Sequence, residues 1–171
     1  MSRTWHIDVA RSTQPCLTPA AVGQLLAGLD APSPTRHILQ FINSRVPVEY
    51  LSLVEHREGD PRQVEGHATD PQRAGLTDHC FSIYRQHFAA MDPVSGHART
   101  LRGHGAQQGP IMAVLFGRAE IPNADWRARV FEANQLAGRL SLVYAPARGS
   151  PFAMNLYRHV GLGDFTEAEV Q

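Results

Sequence analysis

Two helix-starting signals lie near the beginning of the chain, each followed by apolar residues at helical spacing. Thr18 precedes Pro19 in the first segment, and Ser33 precedes Pro34 in the second. Serine and threonine are good N-caps, and proline is tolerated at the first helical position because its missing N–H needs no partner there. The pattern predicts two consecutive amphipathic helices.

Five stretches are rich in strand-forming residues: 48–56, 63–69, 111–117, 139–146 and 150–159. The first two flank a turn that contains Gly, Asp and Pro, and the last two flank a short turn. Both pairs are therefore predicted to be antiparallel hairpins. Helical stretches lie between the hairpins. This order predicts an α/β fold, an α-β-α sandwich with a mostly antiparallel central sheet.

The longest apolar stripe belongs to a helix that is predicted to begin near Thr77. Its members follow a helical period: Cys80, Phe81, Tyr84, Phe88 and Met91. The helix should end near Asp92, because a residue before proline avoids the α region. Pro93 can then open a short second helix that runs to about Leu101.

Two further helices are predicted in the second half of the chain. The apolar period of 125–138 indicates one of them, with Gly138 placed as its C-cap. The other starts at Thr166, with Glu167 and Glu169 in its first turn, near the positive end of the helix dipole. Because the chain stops as this helix begins, we expect the natural protein to continue.

The sequence is interpreted as one globular domain, with residues 1–17 as an N-terminal extension. The 171 residues suit a single domain. The 16 basic and 16 acidic side chains leave no net charge, which is a poor match to a nucleic-acid-binding surface. Two separated cysteines, Cys16 and Cys80, fit a reduced compartment. No apolar run reaches the roughly 18 residues of a membrane helix and no signal-peptide core is present, so we expect a cytoplasmic protein.

The residues that carry chemistry form no catalytic motif. His56 and His67 are the only histidines that could face each other across the first hairpin, and their spacing matches no zinc motif. Cys80 is interpreted as a small buried hydrophobic residue, and Ser141 has no partner that the sequence identifies. We therefore expect a binding protein rather than an enzyme, with no cofactor and no metal.

Asp92 is the polar residue with the most informative surroundings. Its carboxylate either caps the helix that starts at Pro93 or points into a pocket lined by Tyr84 and Phe88, where it meets a ligand N–H. The two roles are compatible, because the two oxygens can serve different partners.

Three segments, in this order, resemble LuxR-type quorum-sensing regulators. The first is the run Tyr84, Phe88, Asp92, Pro93 and Val94, which is similar to the ligand-binding segment of that family. The second is VFEANQLAGRLSLVYAPARGSPFAMNLYR, and the third is DFTEAEV, where the family begins its last sensor helix. The similarity extends from about residue 20 to the end of the chain.

The resemblance implies a cytoplasmic sensor domain related to GAF and PAS folds, with a small-molecule pocket between the sheet and one helical layer. It also implies homodimers and a C-terminal helix-turn-helix domain, expected after residue 171, as the only contact with DNA. Asp92 matches the family aspartate that accepts the amide N–H of an acyl-homoserine lactone. Tyr84, Phe88 and Asn155 match or fall near further pocket positions.

Two departures from the family pattern bear on the ligand. Cys80 stands where the family has the tryptophan that holds the lactone carbonyl, and Pro110-Ile111 is followed by Met112 rather than by a second tryptophan. We therefore expect a ligand other than a standard acyl-homoserine lactone, and we expect Asp92→Ala to weaken ligand binding more than it lowers the melting temperature. The alternatives are a stand-alone GAF-like binding module that acts through protein contacts, and an enzyme of similar α/β size.

Overall fold

The computed structural model of the protein describes residues 2–7, 18–57, 60–102, 111–146 and 148–170. Cys16 and Pro110 lie outside these ranges, as does most of the predicted N-terminal extension.

A single antiparallel sheet of six strands is the central layer of the described part of the chain. The strands are β1 (Arg3–Ile7), β2 (Tyr50–Arg57), β3 (Asp60–Ala68), β4 (Ile111–Gly117), β5 (Leu136–Tyr144) and β6 (Phe152–His159). Their order across the sheet is β1-β4-β5-β6-β2-β3. Both predicted hairpins are present, as β2–β3 and β5–β6. The edge strand β1 belongs to the predicted N-terminal extension and pairs with β4.

Helices cover both faces of this sheet, which confirms the three-layer prediction. They are α1 (Pro19–Leu29), α2 (Pro34–Asn43), α3 (Leu76–His87), α4 (Pro93–Arg102) and α5 (Ala124–Trp126), which continues as a π-helical segment (Arg127–Glu132). One face packs against α2, and α1 packs on α2 in turn; the other face packs against α3, α4 and α5. No helix in the described ranges is long and apolar enough to cross a membrane.

Alternation along the strands divides the core into two parts. On β4, Val114 and Phe116 contribute to the core beneath α3 and α5, whereas Ala113 and Leu115 contribute to the core beneath α2. Successive strand residues point to opposite faces, so the near-continuous apolar run of β4 serves both layers.

The two predicted N-caps behave differently. Thr18 caps α1 as predicted, because its Oγ1 accepts a hydrogen bond from the Ala21 N–H at 3.2 Å. Ser33 precedes α2 but makes no side-chain cap bond. Its hydroxyl instead contacts β3, with 3.1 Å to His67 Nε2 and 3.4 Å to Glu65 Oε2.

The prediction of a helix over 125–138 with Gly138 as its C-cap was wrong at its C-terminal end. The helical segment stops at Glu132, and Gln135, with a φ of 55°, redirects the chain into β5. Gly138 lies inside that strand, where an added Cβ would come within 2.5 Å of the Phe116 carbonyl oxygen. Glycine is required there by the close approach of β4 rather than by a helix end.

Two other predicted helix ends also differ from the structure. Met91 leaves the apolar stripe because α3 ends at His87 and a 3₁₀ turn follows, and its side chain is 51% exposed. The predicted last helix is a single 3₁₀ turn, in which Thr166 N–H and Oγ1 both donate to Glu169 Oε2. The short helix from Pro93 is confirmed.

Candidate functional site

A cavity lies between the sheet and the helical layer of α3 and α5. Its walls come from β2, β5 and β6 on the sheet side and from α3, α5 and the π-helical segment on the other side. The cavity volume is about 40 Å³, counted as space open to the centre of a water-sized sphere. This volume is well below the roughly 150 Å³ of a cavity that holds benzene, so a ligand as large as one aromatic ring requires the side chains of the wall to move apart.

Aromatic side chains form most of the apolar wall. Phe81, Tyr84, Trp126, Phe131 and Tyr157 follow one another with ring centroids 5.6 to 6.3 Å apart. These separations are typical of favourable aromatic pairs. An indole is therefore present in the cavity wall. It belongs to Trp126 of α5 and not to either of the two positions at which the family resemblance places a tryptophan.

Asp92 combines the two roles that the sequence left open. Its Oδ1 accepts a hydrogen bond from the Val94 N–H at 3.0 Å, so the residue caps α4. Its Oδ2 accepts one from the Tyr84 hydroxyl at 2.9 Å. The same carboxylate also lines the cavity. Helix cap and cavity wall are thus the same side chain.

Arg139 is the partner of Asp92 that sequence reasoning missed. Its two terminal nitrogens donate to the two carboxylate oxygens, each at 2.8 Å, and the side chains of Arg139 and Asp92 are only 3% and 2% exposed. The guanidinium also lies over Phe116, at 4.9 Å, and Trp126, at 5.3 Å. Bidentate geometry with stacked rings is the arrangement in which arginine tolerates burial.

A signal for Arg139 is present in the alternation of β5. Arg139, Ser141 and Val143 share the face that looks toward Asp92, while Leu140 and Leu142 face the other layer. An arginine at an inward position of a buried strand requires a buried carboxylate. The sequence does identify such a carboxylate, Asp92, but the partner expected for it is a ligand N–H rather than Arg139.

Burial and pairing act in opposite directions on the pKa of Asp92. Burial raises the pKa, but the Arg139 guanidinium and the hydrogen bonds from Arg139, Val94 and Tyr84 lower it more, so it lies below its ordinary value. Burial also raises the pKa of Tyr157 to about 12 and that of Cys80 to about 11. The Cys80 thiol is therefore protonated at neutral pH and acts as an apolar part of the wall.

The lowered pKa of Asp92 predicts an acid-dependent loss of stability. An aspartate in the unfolded chain has a pKa of about 3.9, so the unfolded state binds the proton first. The contribution of Asp92 is complete above that pKa and is lost as the pH falls through the lower native pKa. In urea unfolding between about pH 7 and pH 2, the difference between wild type and Asp92→Asn should shrink on the acid side. Glu167→Gln, at an exposed carboxylate, should follow the wild type; parallel curves for wild type and Asp92→Asn would contradict the prediction.

Four of the five predicted ligand-binding residues lie in the cavity wall: Asp92, Tyr84, Cys80 and Asn155. The side-chain Oδ1 of Asn155 accepts a hydrogen bond from the Ser141 hydroxyl at 2.7 Å, which supplies the partner that the sequence did not identify. Phe88 lies behind the wall, stacked on Trp126 with centroids 6.0 Å apart and planes inclined by 11°. Direct ligand contact by Phe88 therefore has no support from the cavity geometry.

The two hairpin histidines do not face each other. His56 pairs with Pro61 near the turn and lines the cavity, whereas His67 pairs with Leu51 and contacts Thr35 Oγ1 at 2.8 Å on the opposite face. β2 continues to Arg57, which pairs with Asp60, and this register places Leu51 rather than His56 opposite His67. Within the described ranges, no group of three potential ligands could hold a metal ion.

A comparison with solved structures finds the same fold in a ligand-binding domain. The protein is similar to the ligand-binding domain of VqsR from Pseudomonas aeruginosa, with a TM-score of 0.57 and 18% identity. The match covers 88% of this chain and 84% of that one. No family model and no curated protein matches the sequence. At this low identity, the similarity establishes the fold.

Proposed function

We propose that the protein is the small-molecule-sensing domain of a LuxR-type bacterial transcriptional regulator. The observation that carries the proposal is the cavity between sheet and helices, with an aromatic wall and convergent polar groups, inside a fold shared with the VqsR ligand-binding domain. Apolar cavities with a few placed polar groups are the usual form of small-molecule sites.

The ligand proposed for this domain is not a standard acyl-homoserine lactone. A ligand amide would need a free oxygen of Asp92, and both oxygens already accept hydrogen bonds from Arg139, Tyr84 and Val94. Displacing Arg139 would leave a buried guanidinium without its counter-ion. Cys80 also offers no hydrogen bond comparable to that of an indole N–H.

The remaining parts of the proposal concern the whole regulator. Sensing takes place by binding rather than by catalysis, in a cytoplasmic homodimer whose DNA contacts belong to a C-terminal domain. The balance of 16 basic and 16 acidic side chains in this chain supports a division between sensing and DNA binding.

Native mass spectrometry of the protein purified from its own host tests the sensing role. We expect a stoichiometric adduct that is lost on denaturation. Cys80→Phe, which fills the cavity, should abolish the adduct, whereas Cys80→Ala leaves the cavity open and should keep it. A wild type without adduct, or a Cys80→Phe variant that retains it, would count against the proposal.

A further inference from the structure

Unpaired polar atoms are concentrated at this cavity. Four buried side-chain nitrogen or oxygen atoms in the described ranges have no hydrogen-bond partner, and three of them belong to cavity-lining residues: Arg139 Nε, Thr77 Oγ1 and His56 Nε2. The fourth is on Arg158. Buried polar groups in folded proteins are nearly always paired, so three unpaired atoms around one cavity indicate where the polar atoms of a ligand belong.

The charges that line the cavity already balance. Asp92 and Arg139 are the only fully charged residues among its described walls, and they neutralise each other. Burial lowers the pKa of His56, so its ring is neutral at pH 7. A charged ligand would therefore be desolvated without a counter-ion, or would have to break the existing pair.

The unpaired atoms also indicate the polarity of the ligand's head. Arg139 Nε can only donate a hydrogen bond, so the ligand atom that it meets must be an acceptor. The side chains of Tyr84, Trp126 and Phe131 line the same cavity and favour an apolar ligand body. Resting on the proposed sensing function, we infer that the cavity binds a small, uncharged molecule whose carbonyl or similar acceptor is held by the Arg139 Nε–H.

The effect of ligand charge on affinity can be measured with three ring compounds of nearly the same shape and size: benzamide, which is neutral, benzoate and benzamidinium. Isothermal titration at pH 7 should show benzamide binding in the millimolar range, as expected for a fragment of this size. It should bind at least about tenfold more tightly than either ion. A charged member that binds as tightly as benzamide, or no benzamide binding up to about 10 mM, would overturn the inference. Neither result affects the adduct measurement, which tests sensing independently.

Discussion

Replacing Asp92 by alanine is expected to lower the free energy of unfolding at pH 7 by about 3–5 kcal/mol. The substitution leaves the Arg139 guanidinium, whose side chain is 3% exposed, without its counter-ion. The structure thereby changes the sequence-based expectation, in which Asp92→Ala mainly weakens ligand binding. Urea-induced unfolding, followed by circular dichroism, measures the loss.

The Asp92→Ser variant distinguishes the contribution of the ion pair to stability from that of the helix cap. Asp92→Ser keeps a side-chain oxygen that can accept the hydrogen bond from the Val94 N–H, and such an N-cap contributes about 1 kcal/mol. The substitution removes the charge that pairs with Arg139. The serine variant should therefore remain within about 1 kcal/mol of the alanine variant. Near-wild-type stability of Asp92→Ser would show that the cap dominates and that the buried pair contributes little.

The double variant Asp92→Ala with Arg139→Met tests whether the unpaired guanidinium causes the loss of stability in Asp92→Ala. Removing one member of a buried pair leaves an isolated charge, whereas replacing both with uncharged residues removes the desolvation cost along with the attraction. The double variant should be more stable than Asp92→Ala alone. A double variant that is less stable by the sum of two independent losses would mean that Arg139 stabilises the core mainly through Phe116 and Trp126.

Elements whose signals are local were predictable from the sequence. The cap-proline start of α1 and the two hairpins depend on residues within a few positions of one another, and the structure has them. The end of the helix over 125–138 was not predictable, because the spacing of Leu136 and Gly138 fits a helix as well as a strand. Only the approach of β4 explains the glycine.

The site shows the same division between local and long-range information. The sequence marked Asp92 as a carboxylate at a helix junction next to an aromatic stripe, and that description holds in the structure. Its pairing with Arg139 spans 47 positions and depends on the register of β5. The alternation of β5 turns Arg139 inward, but no local pattern specifies which carboxylate it meets. The same is true of Trp126, which reaches the cavity wall because α5 packs beside α3.

Trp126→Ala is expected to lower the free energy of unfolding by about 3–5 kcal/mol. The indole is 1% exposed, stacks on Phe88 and lies beneath the Arg139 guanidinium, so its loss leaves a large cavity and removes a cation–π contact. Trp126→Phe keeps a ring at the site and should retain more than half of the lost stability. Equilibrium unfolding of the two variants beside wild type measures the difference, and equal losses would contradict the packing argument.

Because Phe88 lies behind Trp126, the contributions of the two rings to ligand affinity can be measured separately. Trp126→Phe changes the cavity wall itself, whereas Phe88→Leu changes only what supports it. Benzamide affinity should therefore fall several-fold in Trp126→Phe and stay within about twofold of wild type in Phe88→Leu. If Phe88→Leu weakened binding as much as Trp126→Phe, the ligand would have to reach beyond the indole, and the direct role that the sequence predicted for Phe88 would regain support.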